Sequence, residues 1–391
     1  MKIIKPRLKQ RECDCCGYND LNEIWSRIFI CQTRSNYFLW DIRNVVCRNC
    51  GFAFVSPVPN EEFLNEYYSS MYSQYFVRKR IIHSIDNQLN IIKKYTNDIK
   101  TKYIIDIGSN ESPDFIKSLH ELFERVETIE LIESVNSTYS SLKDVPLNGA
   151  DILTAYHVLE HISKPKEFLM LCANILNNQG VLILEVPNLI LYTKDPTSLY
   201  YHEHLSHFTP TTLTYLANQS GLTLIEVNHE YISRPFGFTA VFKKNPKIER
   251  RQFKFQDDVE IHQGMHSMNG GLEKINLFLS QVSKVQNAIN NAKKAVIWGA
   301  NLICLELLND YELPPSSIIV DSDERKRDYL SYFNLDVYTP KSVIDQISQA
   351  DKIVITSIFH EKDICGWILN NTDHKLLKDE LLILDLPHID Q

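Results

Sequence analysis

Apolar residues in the middle of the chain fall in short runs separated by amphipathic stretches. Residues 80–97 place Ile81, Ile82, Ile85, Leu89 and Ile92 at helical spacing on one face. Lys102-Tyr-Ile-Ile-Asp-Ile-Gly108 reads as a buried strand closed by a turn, with a helix from about Pro113. Val126–Ile132 is a further apolar run. Ala150–Tyr156 is a strand leading into the polar elbow His157–His161, and Pro165–Leu176 is an amphipathic helix. Asn177–Gly180 reads as a turn and Val181–Val186 as a buried strand. Thr211–Gly221 predicts a helix ended by glycine, and Leu222–Val227 another strand. Such alternation predicts a doubly wound parallel sheet.

The C-terminal third repeats the pattern on a smaller scale. Arg250–Gln263 is polar and charged, followed by His266-Ser-Met-Asn-Gly-Gly271 and a long helix to Ala292. Lys294–Trp298, Ser317–Val320, Asp351–Ile355 and Leu381–Leu384 then supply four strands of a second α/β unit. Gly299 and Asp321 are spaced close to the ~20 residues of a dinucleotide site. Gly299-Ala-Asn-Leu-Ile-Cys304 lacks the other glycines of that fingerprint, which argues against a redox cofactor.

At 391 residues the chain has room for two or three domains, and 44% apolar with 23% charged residues is ordinary for a globular protein. The formal charge of −8 offers no basic field for nucleic acid. No apolar run reaches the ~20 residues of a membrane span. Met1-Lys-Ile-Ile-Lys-Pro-Arg7 has no signal-peptide core, so a cytoplasmic location is expected.

Nine cysteines in such a setting suggest metal ligation or burial, not disulfides. Six lie in the first 50 residues; Cys172, Cys304 and Cys365 are isolated and read as core fillers. Cys13-Asp-Cys-Cys16-Gly17 and Cys47-Arg-Asn-Cys50-Gly51 form two Cys-x2-Cys-Gly knuckles. Together they predict a closed, structural four-cysteine zinc site of Cys13, Cys16, Cys47 and Cys50. Cys15 could replace a neighbour. The intervening segment, rich in Ile, Phe and Trp, suggests packing against another domain.

Tyr200-Tyr201-His202-Glu203-His204-Leu205-Ser206-His207-Phe208 follows the strand Val181–Val186 and sets three histidines in nine positions. Imidazole titrates near neutrality, so a histidine flanked by a carboxylate and a phenol has the makings of a general base. A polar loop, or a metal held by His202 and His204, uses the same residues.

Asp106-Ile-Gly108-Ser109-Asn110, His157-Val-Leu-Glu-His161 and Gly180-Val-Leu-Ile-Leu-Glu-Val-Pro187 resemble class I S-adenosylmethionine-dependent methyltransferases. With the cysteine knuckles and Tyr201-His202-Glu203-His204, the whole chain is similar to zinc-containing sugar C-methyltransferases that act on nucleotide-linked 4-keto-deoxysugars. The resemblance implies three parts: a zinc-binding module with linker over 1–75, a Rossmann-like methyltransferase domain over 76–245, and a smaller Rossmann-like α/β domain over 246–391 on the nucleotide side of the substrate. It implies S-adenosylmethionine held by Asp106, Gly108, Ser109, Asn110, Glu133 and His157, and His204 as the base, with Glu203, Tyr201 and His202 in support. The family turn Gly-Ser-Asn-Asp-Gly here reads Gly108-Ser-Asn-Glu-Ser112, without its second glycine, and Gly108 to Asp151 is short by about a strand and a helix. Glu130 and Glu133 are the candidate ribose acids, Glu133 preferred. O- or N-methylation of a cell-surface sugar, and a degenerate non-catalytic binding protein, are the competing readings.

Overall fold

Six strands form the central sheet of the computed structural model. The model describes residues 2–32, 36–71, 82–108, 113–131, 137–245, 258–309, 311–328, 330, 333–357, 360–376 and 380–384. Across the sheet the order is Leu222–Asn228, Gly237–Lys244, Leu176–Pro187, Ala150–Tyr156, Tyr103–Ile107, Arg125–Ile129. The last four of these are mutually parallel, and the other two attach as an antiparallel hairpin.

Every residue of Tyr103–Ile107 is buried, as expected of a strand covered on both faces. Alternate side chains enter different cores. Ile104 joins Ile91, Ile92, Phe115 and Leu119 from the helices Ile82–Lys94 and Pro113–Leu122. Ile105 joins Leu169, Cys172, Leu213 and Leu216 from the helices Pro165–Ile175 and Pro210–Gln219. The deficit between Gly108 and Asp151 falls at the sheet's edge. Beyond Arg125–Ile129 the described residues add only a bridge from Ile129 to Tyr139 and the turn Leu142–Asp144 before the chain returns to the centre.

The chain divides into two compact units. One comprises Pro6–Ile28 and Asp41–Gly271, the other Met1–Lys5, Phe29–Trp40 and Leu272–Gln391. In the larger unit the cysteine knuckles and the sheet share one core, in which Cys13, Cys15, Cys47, Cys50, Phe52 and Phe54 meet Phe208 and Leu213. Ala53–Val55 pairs antiparallel with Asn36–Cys47 on one side and with Ser206–His207 on the other. The histidine-rich segment therefore adds a strand to the N-terminal sheet.

In the smaller unit Lys2–Ile4 pairs in parallel with the start of Asn36–Cys47. Its main sheet has the order Val337–Tyr338, Ile318–Val320, Ala295–Trp298, Lys352–Ile355, Leu381–Ile383, all parallel. This is the second α/β unit expected, with one edge strand, Val337–Tyr338, too short to show a period in the sequence. Asp321 at its strand end is engaged within the unit: it accepts from the Ala300 N–H, after the neighbouring strand, at 2.8 Å and from Lys326 Nζ at 2.9 Å.

Two boundaries differ from the sequence pattern. Leu176 to Gly180 continues as strand, with a register shift before Val181, instead of forming a separate turn. The long helix starts at Val259 and runs unbroken to Asn290 through Gly270 and Gly271. Those glycines sit where the helix meets Tyr192–Thr193: a Cβ at 270 would lie 2.6 Å from the Thr193 side-chain Oγ1, and one at 271 would lie 3.0 Å from the Tyr192 carbonyl oxygen. Here the glycine pair serves close approach, not a break.

Candidate active site

The sheet order reverses between Tyr103–Ile107 and Ala150–Tyr156, and ligands of open α/β sheets bind outside the carboxyl ends of strands at such a point. A cleft of about 700 Å³ lies there, bordered by Gly108, Glu130, His157, Val158, His161 and Tyr68. That volume suits a small-molecule cofactor site. Gly108 has φ +78°, a conformation side chains with a Cβ resist, and its N–H donates to the Ile129 carbonyl at 2.9 Å. A Cβ on it would stand 2.6 Å from Val158 Cγ2.

The expected cofactor residues are distributed unevenly. Gly108 and His157 border the cleft, and so does Glu130, just beyond the strand Arg125–Ile129. Asp106 is buried within the sheet, where its carboxylate accepts from the Thr154 hydroxyl at 2.5 Å. Ser109, Asn110 and Glu133 lie outside the described residues.

His204 is half-buried in the segment that leads into Ser206–His207. Its Nδ1–H donates to the Ser198 carbonyl at 2.7 Å, which leaves the lone pair on Nε2. The ring lies 5.1 Å from that of His161 and 6.4 Å from that of Tyr201. Burial, followed by the neighbouring His161, holds the His204 pKa well below the usual imidazole value, so it is neutral at physiological pH. His161 borders the cleft and donates from Nδ1 to the Glu203 carbonyl at 3.0 Å, so its free lone pair is also on Nε2.

Tyr67, from the turn after the helix Glu61–Glu66, donates to Glu203 Oε1 at 2.7 Å. With that proton committed, the 3.1 Å contact to His202 Nε2 has the imidazole N–H donating to the phenol oxygen. His202 is buried, and burial lowers its pKa. His207, the third histidine of the segment, is a core residue: Nε2–H donates to Asn44 Oδ1 at 2.8 Å, and Nδ1 accepts from the Tyr192 hydroxyl at 2.9 Å.

Beneath the elbow a second imidazole is clamped between two carboxylates. His157 Nδ1 meets Glu160 Oε1 at 3.2 Å, and Nε2 meets Glu185 Oε1 at 2.9 Å. Burial and Arg234 oppose the charge on His157, but the two carboxylates outweigh them and raise its pKa. Glu185, at the end of the strand Leu176–Pro187, also accepts from the N–H groups of Ser233 and Arg234. His157 itself has φ +55°. The sequence marked His157 as a cofactor residue; its buried partners Glu160 and Glu185 carried no signal beyond being acids at strand or elbow ends.

Cys13, Cys16, Cys47 and Cys50 converge, with all Sγ atoms within 4.8 Å of one another. Cys13 and Cys50 are 3.4 Å apart, and Cys16 and Cys47 are 3.5 Å apart. In a tetrahedral thiolate site with ~2.3 Å bonds the sulfurs stand about 3.8 Å apart, so the four fit zinc. Cys15 is left outside the group and buried in the core. Arg11 joins the knuckle to the histidine segment, donating to Asp14 at 2.7 Å and to the Leu205 carbonyl at 2.7 Å.

Residues 74–227 match the family model of a methyltransferase domain. No curated protein matches the chain. Among solved structures, an S-adenosylmethionine-dependent methyltransferase from Mesorhizobium loti is 13% identical, covering 41% of this chain and 100% of that one, with a TM-score of 0.34. A SAM-dependent methyltransferase from Archaeoglobus fulgidus is 16% identical, covering 47% of this chain and 100% of that one, with a TM-score of 0.33. Both likenesses are faint, and the sheet order stands without them. The domain match shows that residues 74–227 form a methyltransferase domain. No described helix is long and apolar enough to cross a membrane.

Proposed function

We propose that the protein methylates carbon on a nucleotide-activated 4-keto-deoxysugar, with His204 as the base. The observation that carries this reading is the tautomer of His204: Nδ1–H is held by the Ser198 carbonyl, which leaves the lone pair on Nε2. The ring lies 5.1 Å from that of His161, which borders the cleft although His204 itself does not line it. Carbon next to a ketone becomes a nucleophile only after it loses a proton, and a neutral imidazole with a free lone pair can take it. The bound methyl donor supplies the electrophilic sulfonium methyl. Gly108 would let that donor approach the backbone, and Glu130, which borders the cleft, would take its ribose hydroxyls; Glu133, the acid preferred from the sequence, lies outside the described residues.

Tyr67 orders the Glu203 carboxylate through its 2.7 Å hydrogen bond, and His202 holds the other side of the phenol. That pair keeps the segment in one geometry; Tyr201, beside His204, is the donor for the developing enolate oxygen. The four cysteines would hold structural zinc within the larger unit, whose core they share with the central sheet.

The test is solvent exchange of the sugar C–H in deuterium oxide, without methyl donor, across nucleotide-linked 4-keto-deoxysugars. The wild-type protein should exchange, and His204→Asn should lose both exchange and methyl transfer while still binding S-adenosylhomocysteine. Methyl transfer without exchange would instead indicate an oxygen or nitrogen acceptor. Calorimetry showing no heat with S-adenosylhomocysteine would leave only a binding role.

A further inference from the structure

We propose that Glu160, His161 and His204 form a second metal site, which takes a divalent transition ion and thereby silences the base. One carboxylate oxygen and one nitrogen from each imidazole lie within 4.8 Å of one another. Both imidazoles donate Nδ1–H to backbone carbonyls, of Glu203 and Ser198, so both Nε2 lone pairs are free. Histidine ligands to metals are typically oriented by such a hydrogen bond from the other ring nitrogen.

The carboxylate supplies an independent pointer. Glu160 is 1% exposed; its Oε1 is engaged by His157, but its buried Oε2 has no hydrogen-bond partner among the described residues. A buried carboxylate oxygen without a donor is costly, and a cation beside it removes that cost. His161 Nε2 stands 3.9 Å from Glu160 Oε1. Ligand atoms at ~2.1 Å around a tetrahedral ion are about 3.4 Å apart, so modest tilts of the two rings close the site.

Two imidazoles and one carboxylate select zinc, cobalt or nickel over magnesium or calcium, which prefer all-oxygen shells. His157, pinned between Glu160 and Glu185, would hold the carboxylate in place. His204 Nε2 cannot both bind an ion and accept a proton, so occupancy stops proton abstraction. The silencing rests on the assignment of His204 as the base; the binding does not.

The experiment titrates cobalt(II) into the full chain with its four-cysteine site already loaded with zinc, followed by visible absorption and calorimetry. One further equivalent should bind, giving d–d bands without thiolate charge transfer, and magnesium should not compete. Binding should weaken at least tenfold in Glu160→Gln and in His161→Asn; the half-buried His161 provides the variant least expected to disturb folding. Absence of a second equivalent, as when a water satisfies Glu160, would overturn the site, and so would binding unchanged in His161→Asn. Excess zinc should also abolish C–H exchange, reversibly with a mild chelator. Cobalt binding with undiminished exchange would refute the silencing while the site stands. A protein that never exchanges would count against the proposed reaction and leave the binding result intact.

Discussion

His207 offers a quantitative check on how the histidine-rich segment is divided between chemistry and core. It is 1% exposed, with Tyr192 and Asn44 as partners. Burial, aided by the nearby positive charge of Arg11 and opposed by Glu160, pushes its pKa down to about 3. Unfolded, the group titrates near ~6.5. A depressed imidazole is neutral in the folded state, while the unfolded chain gains a proton as the pH falls below ~6.5. Stability is therefore lost progressively from that pH down towards 3. For this one group the loss between pH 7 and pH 5 is about 2 kcal/mol. His207→Gln removes the titration. It should cost ~1–3 kcal/mol at pH 7 through imperfect replacement of two buried hydrogen bonds. The gap between parent and variant should then shrink by about 2 kcal/mol on going to pH 5. Urea unfolding read by hydrogen-exchange mass spectrometry on peptides of the larger unit measures this without interference from the smaller one. If the variant loses stability with pH as steeply as the parent, His207 is not the locked neutral residue described here.

Cys47→Ser should reduce bound zinc and lower the unfolding temperature, while S-adenosylhomocysteine binds the remaining folded protein with ordinary affinity. Metal analysis beside a thermal melt checks this, and a fully stable variant with only a rate defect would refute the structural role. Gly108→Val forces a branched side chain into φ +78° and against Val158, a residue that borders the cleft. The backbone strain alone is about 1–2 kcal/mol, and calorimetry should show S-adenosylhomocysteine binding lost. Unchanged affinity would place the donor elsewhere.

Some of this protein was settled by local chemistry. The short, β-branched run Tyr-Ile-Ile-Asp-Ile, ending in glycine, reads as a strand with both faces covered, and so it is. The two Cys-x2-Cys-Gly knuckles likewise bring thiolates together through their own turns, so the four-cysteine group was legible, and only the choice between Cys15 and its neighbours was not. Gly270-Gly271 misled, since a glycine pair breaks a helix unless another backbone needs the space, and that backbone, at Tyr192–Thr193, is remote in sequence. His202, His204 and His207 are nearly indistinguishable as letters. What separates them is which group stands opposite: the Tyr67 phenol, the Ser198 carbonyl and its open neighbour His161, or the closed pair Tyr192 and Asn44. The same holds for Asp106, turned to Thr154 inside the sheet, and for Glu160, buried with Oε1 on His157 and grouped with His161 and His204. Hydrophobic period and turn chemistry are properties of neighbours along the chain, and the sequence determined what rests on them. Charge, tautomer and access depend on partners dozens of residues away, and only the tertiary structure decided those.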